Sequence, residues 1–340
     1  MKPFAFSHAA SLQDAARGAD LVCEAMLAPL NAQPATLIVV KAGGVDLLDL
    51  MKEGLVTPSA LVSLRDTAGL GSIDKRPDGG LRIGAMVTLA RVAADPEIRA
   101  RYPALAAAAG DSASAEIRNL ATLGGNLLQR PRCWYFRASA DRCLRKGGGH
   151  CFAIEGENQL HAIFDNRFCA IVHPSTSATA LVALGATLDL VDDSGASRNV
   201  ALEAFFVGPD KDVQRENDLR AGEILTAIVL PSAQGLKTAH LKIAQKESFD
   251  WPLVDVAVAL EIGGDGVCRR ASIVLGAVAP TPHRARAAEA ALVGKHIDEA
   301  SATEAARAAL TGATPLSKNA YKLALVETLT RRALLQAASG

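Results

Sequence analysis

Six cysteines occur in the chain, and four of them, Cys133, Cys143, Cys151 and Cys169, crowd one short window. Three readings compete for such a cluster. Buried structural thiols are the default for isolated cysteines, but they do not account for clustering. Disulfides suit a secreted chain. Ligation is the third reading, and the local sequence favours it. Zinc sites usually draw on pairs separated by two to four residues, whereas the gaps here are nine, seven and seventeen. A four-iron cluster takes four thiolates and accepts longer loops between them. Arg130, Arg132, Arg137, Arg142, Arg145 and Lys146 supply positive charge where four thiolates would be negative. Trp134-Tyr135-Phe136 could shield a cluster from water, and Gly147-Gly148-Gly149 would let the chain bend before Cys151. Zinc and inert thiols stay open beside the iron–sulfur reading. His150 and His161 share the window, and four cysteines already complete a cluster without them. Cys23 and Cys268 lie apart and read as packing residues.

Two glycine pairs are the second feature. Lys41-Ala42-Gly43-Gly44 follows the β-branched run Thr36–Val40, and Thr122-Leu123-Gly124-Gly125-Asn126 comes some eighty residues later. The plain reading of Gly-Gly after a strand is a tight turn. The functional reading is a backbone that approaches a phosphate and offers it N–H groups. Neither pair extends to G-x-G-x-x-G, and no G-x-x-x-x-G-K-[ST] occurs, so conventional NAD and nucleoside-triphosphate sites lack support. Two such turns would suit a dinucleotide whose pyrophosphate is gripped from two sides. Paired carboxylates, Ser-His-Asp arrangements and H-E-x-x-H are not evident, so no catalytic side chain is assigned.

These residues need elements to hold them. Ser11 predicts a helix cap for Leu12–Leu30, with Asp14 in the first turn. Strands are expected at Thr36–Val40, Leu61–Leu64, Leu81–Ile83, Cys169–Val172, Thr187–Val191 and Ile224–Leu230, and a strand and turn at Thr122–Asn126. Helices are expected at Leu47–Lys52, from Thr88, and from Pro103 to near Ser114. Past Pro231 the pattern changes to three longer strands, Leu241–Ile243, Val254–Ile262 and Val267–Val278. Three helices follow, Pro282–Val293, Ser301–Leu310 and Ser317–Ala338. Strands followed by helices imply a separate α+β domain, with its boundary near Pro231–Gly235.

The 340 residues allow two domains and, at a stretch, three. At 49% hydrophobic and 21% charged, the composition excludes wholesale disorder. Thirty-six basic residues cancel 36 acidic ones, so no global field draws in nucleic acid or an anionic membrane. No apolar run approaches the roughly 20 residues of a membrane helix. The N-terminus lacks a secretory h-region and a twin-arginine pair, which points to the cytoplasm, or to export on a signal-bearing partner subunit.

Ala42-Gly43-Gly44-x-Asp46-Leu47-Leu48-Asp49-Leu50-Met51-Lys52, followed by Ile117-Arg118-Asn119-x-Ala121-Thr122-x-Gly124-Gly125-Asn126-Leu127, resembles the FAD-binding subunit of the molybdenum hydroxylases. This is the medium-subunit family of xanthine and carbon monoxide dehydrogenases. His173-Pro174-Ser175, Gly276-Ala277-Val278-Ala279-Pro280-x-Pro282-x-Arg284 and Asn319-Ala320-Tyr321-Lys322 extend the resemblance, in order, over essentially the whole chain. Gln129-Arg130-x-Arg132-Cys133-Trp134-Tyr135-Phe136, leading to Cys143, Cys151 and Cys169, resembles a smaller branch of that family. It holds periplasmic aldehyde oxidoreductase flavoprotein subunits and 4-hydroxybenzoyl-CoA reductase β-subunits, both carrying an extra [4Fe-4S] cluster.

The resemblance implies an α+β fold. Residues 1–66 and 67–232 would be the halves of a vanillyl-alcohol-oxidase-type (PCMH-type) FAD module, with an iron–sulfur insertion at about 130–172. Residues 233–340 would be a C-terminal α+β domain with a three-stranded sheet and helices. By motif, noncovalent FAD would contact Val39, Val40, Lys41, Ala42, Gly43, Gly44, Val45, Asp46 and Leu47. Its second grip would be Thr122, Gly124, Gly125 and Asn126, with Ile224 and Lys242 beside the flavin. Cys133, Cys143, Cys151 and Cys169 would hold the cluster. Thr176 departs from the pattern, because the family usually has an FAD-contacting Asp there. The plain reading of Lys242 is a solvated strand lysine.

The implied role is electron transfer in an aldehyde or (hetero)aromatic oxidoreductase. A large subunit would carry the molybdenum cofactor and a small subunit [2Fe-2S] clusters, in an αβγ heterotrimer or its dimer. Electrons would leave FAD for an external acceptor. In the reductase-type alternative they would run towards molybdenum. Two other classes compete, a stand-alone flavin oxidase, which needs activity from the lone chain, and a zinc-stabilised scaffold, which needs zinc and no flavin absorbance.

Overall fold

The structure, a computed structural model, describes residues 1–17, 37–246 and 249–340. Ala5–His8 (β1) leads to Leu12–Arg17 (α1), whose first turn is capped by Ser11 Oγ accepting from Asp14 N at 3.1 Å. The predicted continuation to Leu30, with Cys23, lies outside the described residues. Ile38–Lys41 (β2), Val45–Lys52 (α2) and Ala60–Ser63 (β3) follow, and the three strands make a small parallel sheet in the order β1-β3-β2. Parallel neighbours require a crossover, so α2 springs directly from the end of β2, with Gly44 between them at φ +82°.

Ile73–Lys75 (β4), Leu81–Gly84 (β5), Thr187–Val191 (β6), Ser197–Ala201 (β7) and Ile224–Leu230 (β8) form an antiparallel sheet, ordered β4-β5-β8-β6-β7. Its apolar face packs on helices inserted between β5 and β6. These include Leu89–Ala94 (α3), Pro96–Arg101 (α4), Pro103–Gly110 (α5), Ala115–Leu120 (α6) and Leu123–Leu127 (α7). Beyond them come Trp134–Arg137 (α8), Phe152–Glu155 (α9) and Thr176–Ala183 (α10), and Leu202–Phe205 (α11) follows β7.

Two sequence expectations fail in this region. Thr122–Asn126 is no strand and turn. Thr122 caps α7 instead, its Oγ1 accepting from Gly125 N at 3.1 Å. Cys169–Val172 joins no sheet, because its backbone bonds go to loops: Ala162 N donates to Ala170 O. Helix α4 was not foreseen, although Asp95-Pro96 carries its cap, with Asp95 accepting from Glu97 N and Ile98 N.

Leu236–Ala244 (β9), Pro252–Ile262 (β10), Cys268–Gly276 (β11) and His283–Arg284 (β12) form the last sheet, ordered β12-β11-β10-β9. Three strands are long, as expected; the fourth has two residues. Arg286–Leu292 (α12), Glu299–Ala308 (α13) and Tyr321–Ser339 (α14) cover its face around Val256, Val258, Ile273 and Leu275. A third, smaller core joins β2, β3 and α2 to the cysteine segment, with Val39, Leu50, Met51 and Leu61 against Phe136 and Cys143. Among the described residues, no helix is long and apolar enough to cross a membrane.

Candidate functional site

The two glycine segments face each other across one cavity of about 790 Å³, within the range of cofactor sites. All sixteen residues expected at FAD line it: Val39 to Leu47, Thr122, Gly124, Gly125, Asn126, Thr176, Ile224 and Lys242. The walls approach closely. A β-carbon on Gly43 would lie 2.0 Å from Leu120 O, and one on Gly124 would lie 2.8 Å from Ala85 Cβ. The first backbone N–H groups of α7 are spent inside the fold: Leu123 N donates to Val87 O at 2.8 Å, Gly124 N to Ala85 O at 2.9 Å and Gly125 N to the Thr122 hydroxyl at 3.1 Å, which fixes this segment against the β5–α3 connection. Asn126 is held in turn, its Oδ1 accepting from Ser175 Oγ at 2.6 Å.

Lys242 is no solvated strand lysine. Its Nζ donates to Asp111 O and to Asp250 O, both at 2.7 Å, tying the end of α5 to the β9–β10 connection across the cavity. Burial lowers its pKa, as it does that of Lys41. Behind it, His240 Nε2 lies 3.3 Å from Asp255 Oδ1, both fully buried. The Thr176 hydroxyl, in the place of the family Asp, bonds Ser112 Oγ at 2.7 Å and Ala108 O at 3.1 Å. It therefore pins α5 to α10 and brings no charge. Ile224 is buried and lends an apolar wall.

The four window cysteines gather as well. Cys133, Cys143, Cys151 and Cys169 line one small cavity of about 10 Å³ with Tyr135, Phe136, Leu144, Arg145, Phe152 and Ile171. All four are free thiols. Among the described residues, no group of three or more His, Cys, Asp or Glu side chains is arranged to hold a single metal ion. Burial pushes the Cys133 thiol up to about 12 and raises Cys143. Cys169 is the more acidic of the Cys151–Cys169 pair, lowered by the neighbouring Cys151 thiol and by the Arg145 guanidinium beside it, while Cys151 is raised. His161 Nε2 lies 3.2 Å from Cys133 Sγ, and burial lowers its pKa to about 4. His150 is exposed. Cys268 is buried at the start of β11, away from this group.

The glycine triplet makes its turn. Gly147 has φ +78°, and a β-carbon on Gly148 would lie 1.6 Å from Arg142 O. The arginines divide, however. Arg132 and Arg137 are spent on Asp46, Asp49 and Glu53 along α2, docking the segment on the first lobe. Arg130 pairs with Glu216. Of the six cations read as neutralising the thiolates, only Arg145 lines their cavity. Sequence reasoning missed Glu216 and the C-terminal hold on the segment. Asn319 Nδ2 donates to His161 O and Ala162 O, both at 3.1 Å, and Lys322 Nζ donates to Leu160 O at 3.0 Å. The Asn319–Lys322 motif was the only available signal.

Residues 9–233 match the family model described as the FAD binding domain in molybdopterin dehydrogenase, and residues 239–337 match the CO dehydrogenase flavoprotein C-terminal domain. The chain belongs to this family. It is 34% identical over 316 residues to the aldehyde oxidoreductase FAD-binding subunit PaoB of Escherichia coli K12, covering 91% of this chain and 94% of that one. It is 29% identical to the carbon monoxide dehydrogenase medium chain of Hydrogenophaga pseudoflava, covering 86% of each. Among solved structures, quinoline 2-oxidoreductase from Pseudomonas putida 86 superposes with a TM-score of 0.73 at 30% identity, over 100% of this chain and 99% of that one. As an FAD-binding medium subunit of the molybdenum hydroxylase family, the chain is an oxidoreductase subunit with the PCMH-type fold expected for it.

Proposed function

We propose that this chain is the electron-transfer flavoprotein of an aldehyde or aromatic/heteroaromatic hydroxylase, carrying electrons from a partner's [2Fe-2S] clusters to an external acceptor. In this reading the molybdenum cofactor sits in a large subunit, the [2Fe-2S] clusters in a small one, and one [4Fe-4S] cluster in this chain. FAD supplies one- and two-electron carrier chemistry, and the cluster supplies a one-electron relay. The protein's own residues position and tune them. The observation that carries the FAD assignment is the convergence of all sixteen expected residues on one cavity. The Gly43–Gly44 turn and the Thr122–Asn126 segment would hold the pyrophosphate by close backbone approach, Lys242 and Ile224 the flavin end, and Thr176 would leave that end uncharged.

For the cluster, the donor set fits: two buried and two half-buried thiols, aromatic shielding and one cation, with no carboxylate in the lining. Filling so small a space requires the four thiols to move apart. Division into 1–66, 67–232 and 233–340 accords with three separate sheets. Similarity to the aldehyde oxidoreductase subunit favours an aldehyde substrate, bound by the partner rather than here.

The test is a visible spectrum with anaerobic FAD, iron and zinc analysis of the full chain and whatever co-purifies. Yellow protein with about four irons per chain is expected, together with a molybdenum-bearing and a [2Fe-2S] partner. Serine at Cys133, Cys143, Cys151 or Cys169 should lower iron sharply with FAD less affected, and serine at Cys268 should leave iron unchanged. Stoichiometric zinc, or iron surviving all four substitutions, overturns the cluster. Turnover by the lone chain would replace the subunit reading with an oxidase.

A further inference from the structure

Arg130 Nη2 and Arg145 Nη1 both donate to the same atom, Glu216 Oε1, at 2.8 and 2.7 Å. The three side chains are 5%, 1% and 8% exposed. Two guanidinium cations on one carboxylate leave a net charge of about +1 out of water, where charge is expensive. The rest of the hydrogen bonding is incomplete. Arg145 Nη1 also reaches Arg215 O at 3.2 Å and Arg130 Nη2 reaches Gln214 O at 3.3 Å. Nε and Nη1 of Arg130, and Nε and Nη2 of Arg145, are buried without a partner.

The location is specific. Arg130 lies on the wall of the large cavity and Arg145 on the wall of the cysteine cavity, beside Cys169. Phe136 lines the cysteine cavity and packs under Arg130, whose guanidinium carbon is 5.2 Å from the ring centroid. A positive charge with spare donors therefore stands between the two cavities. Arginine stays charged at any accessible pH, so the charge is fixed. A stability role alone is a poor account, since a buried ion group of this kind is often no better than apolar packing.

We propose that Arg145, held by Glu216 and backed by Arg130, is a positioning residue that raises the reduction potential of the cluster on the four cysteines. Adding an electron to a four-thiolate centre increases its negative charge, and a cation beside Cys169 at low dielectric favours that form. Glu216 moderates the effect by cancelling one of the two cations. The two therefore act in opposite directions on the same electron. This inference rests on the cluster reading above.

The experiment is a redox titration of the intact complex followed by electron paramagnetic resonance, with iron and FAD measured on the same samples. Arg145→Gln should shift the cluster midpoint to more negative potential with iron retained. Glu216→Gln, which leaves both arginines charged, should shift it to more positive potential. Arg145→Lys should lie near the unsubstituted protein, and Arg130→Gln, one step further away, should show a smaller negative shift. If Arg145→Gln loses its cluster, the Arg130→Gln and Arg145→Lys midpoints decide. An unchanged midpoint in Arg145→Gln at full iron content, or in Arg130→Gln where Arg145→Gln is lost, overturns the proposal. Shifts of one sign in both the arginine and the glutamate variants also overturn it, because general loosening would do that. Absence of iron from the unsubstituted complex would instead overturn the cluster reading.

Discussion

At Gly43 there is no room for a methyl group, and the obstacle is the opposite wall rather than a ligand. Its β-carbon would meet Leu120 O and the Leu120 carbonyl carbon at 2.0 and 3.0 Å. Those atoms are backbone at the end of α6, and the next carbonyl, Ala121 O, already accepts from Leu89 N at 2.8 Å. Gly125 differs, since its β-carbon would meet Thr122 Oγ1 at 3.0 Å, a side-chain atom that can give slightly. Gly43→Ala should therefore force the two walls apart and yield protein largely stripped of FAD. Gly125→Ala should keep most of it. Flavin absorbance per chain after purification reads both, and equal retention would contradict this account of the cradle. The sequence pointed to both glycines on the same ground, approach to a phosphate. It could not show that one of them faces residues eighty positions away.

The turn into α14 and its first residues close the cysteine segment. Asn319 is fully buried, and besides its bonds to His161 O and Ala162 O its Oδ1 accepts from Leu316 N at 2.7 Å. Tyr321 and Lys322 reach Gln159 O and Leu160 O beside it. Asn319→Ala would strand several buried polar groups, at a cost on the order of 3 kcal/mol. The loss should fall on the segment Glu157–Ala162, so, if the proposed cluster is bound, iron per chain should drop while FAD holds. Parallel loss of both would mean that the helix supports the whole fold instead. Elements were legible where pattern and pairing agreed: β6 and β8 have the predicted bounds. They were not where partners decide. Cys169–Val172 has a strand's composition but no strand beside it, and Thr122–Asn126 turns helical because the Thr122 hydroxyl satisfies the first turn.

Across the molecule, two histidines are buried in neutral form. Burial lowers the His173 pKa to about 3 and the His161 pKa to about 4 from an ordinary 6.5. The unfolded chain therefore binds more protons than the folded one between about pH 6.5 and pH 3, and stability falls as pH falls through that window. His173 alone should account for on the order of 3 kcal/mol at pH 4. The unfolding temperature should decline steadily from pH 6.5 to 4, and less steeply in His173→Gln; a flat profile would refute it. What sequence could not supply at this scale was pairing over distance. Arg130 and Arg145 read as a basic run, and Glu216, which binds both, lies 86 and 71 residues away. The hold of α14 on the cysteine segment also sets an order of events in time. Synthesis runs from the N-terminus, so Cys169 leaves the ribosome long before Asn319. The FAD lobes can take shape on the growing chain, whereas the four thiols acquire their last support only after Asn319 and the start of α14 have emerged. On the cluster reading proposed above, iron delivered before that point would meet an open loop, and loading would wait for α14.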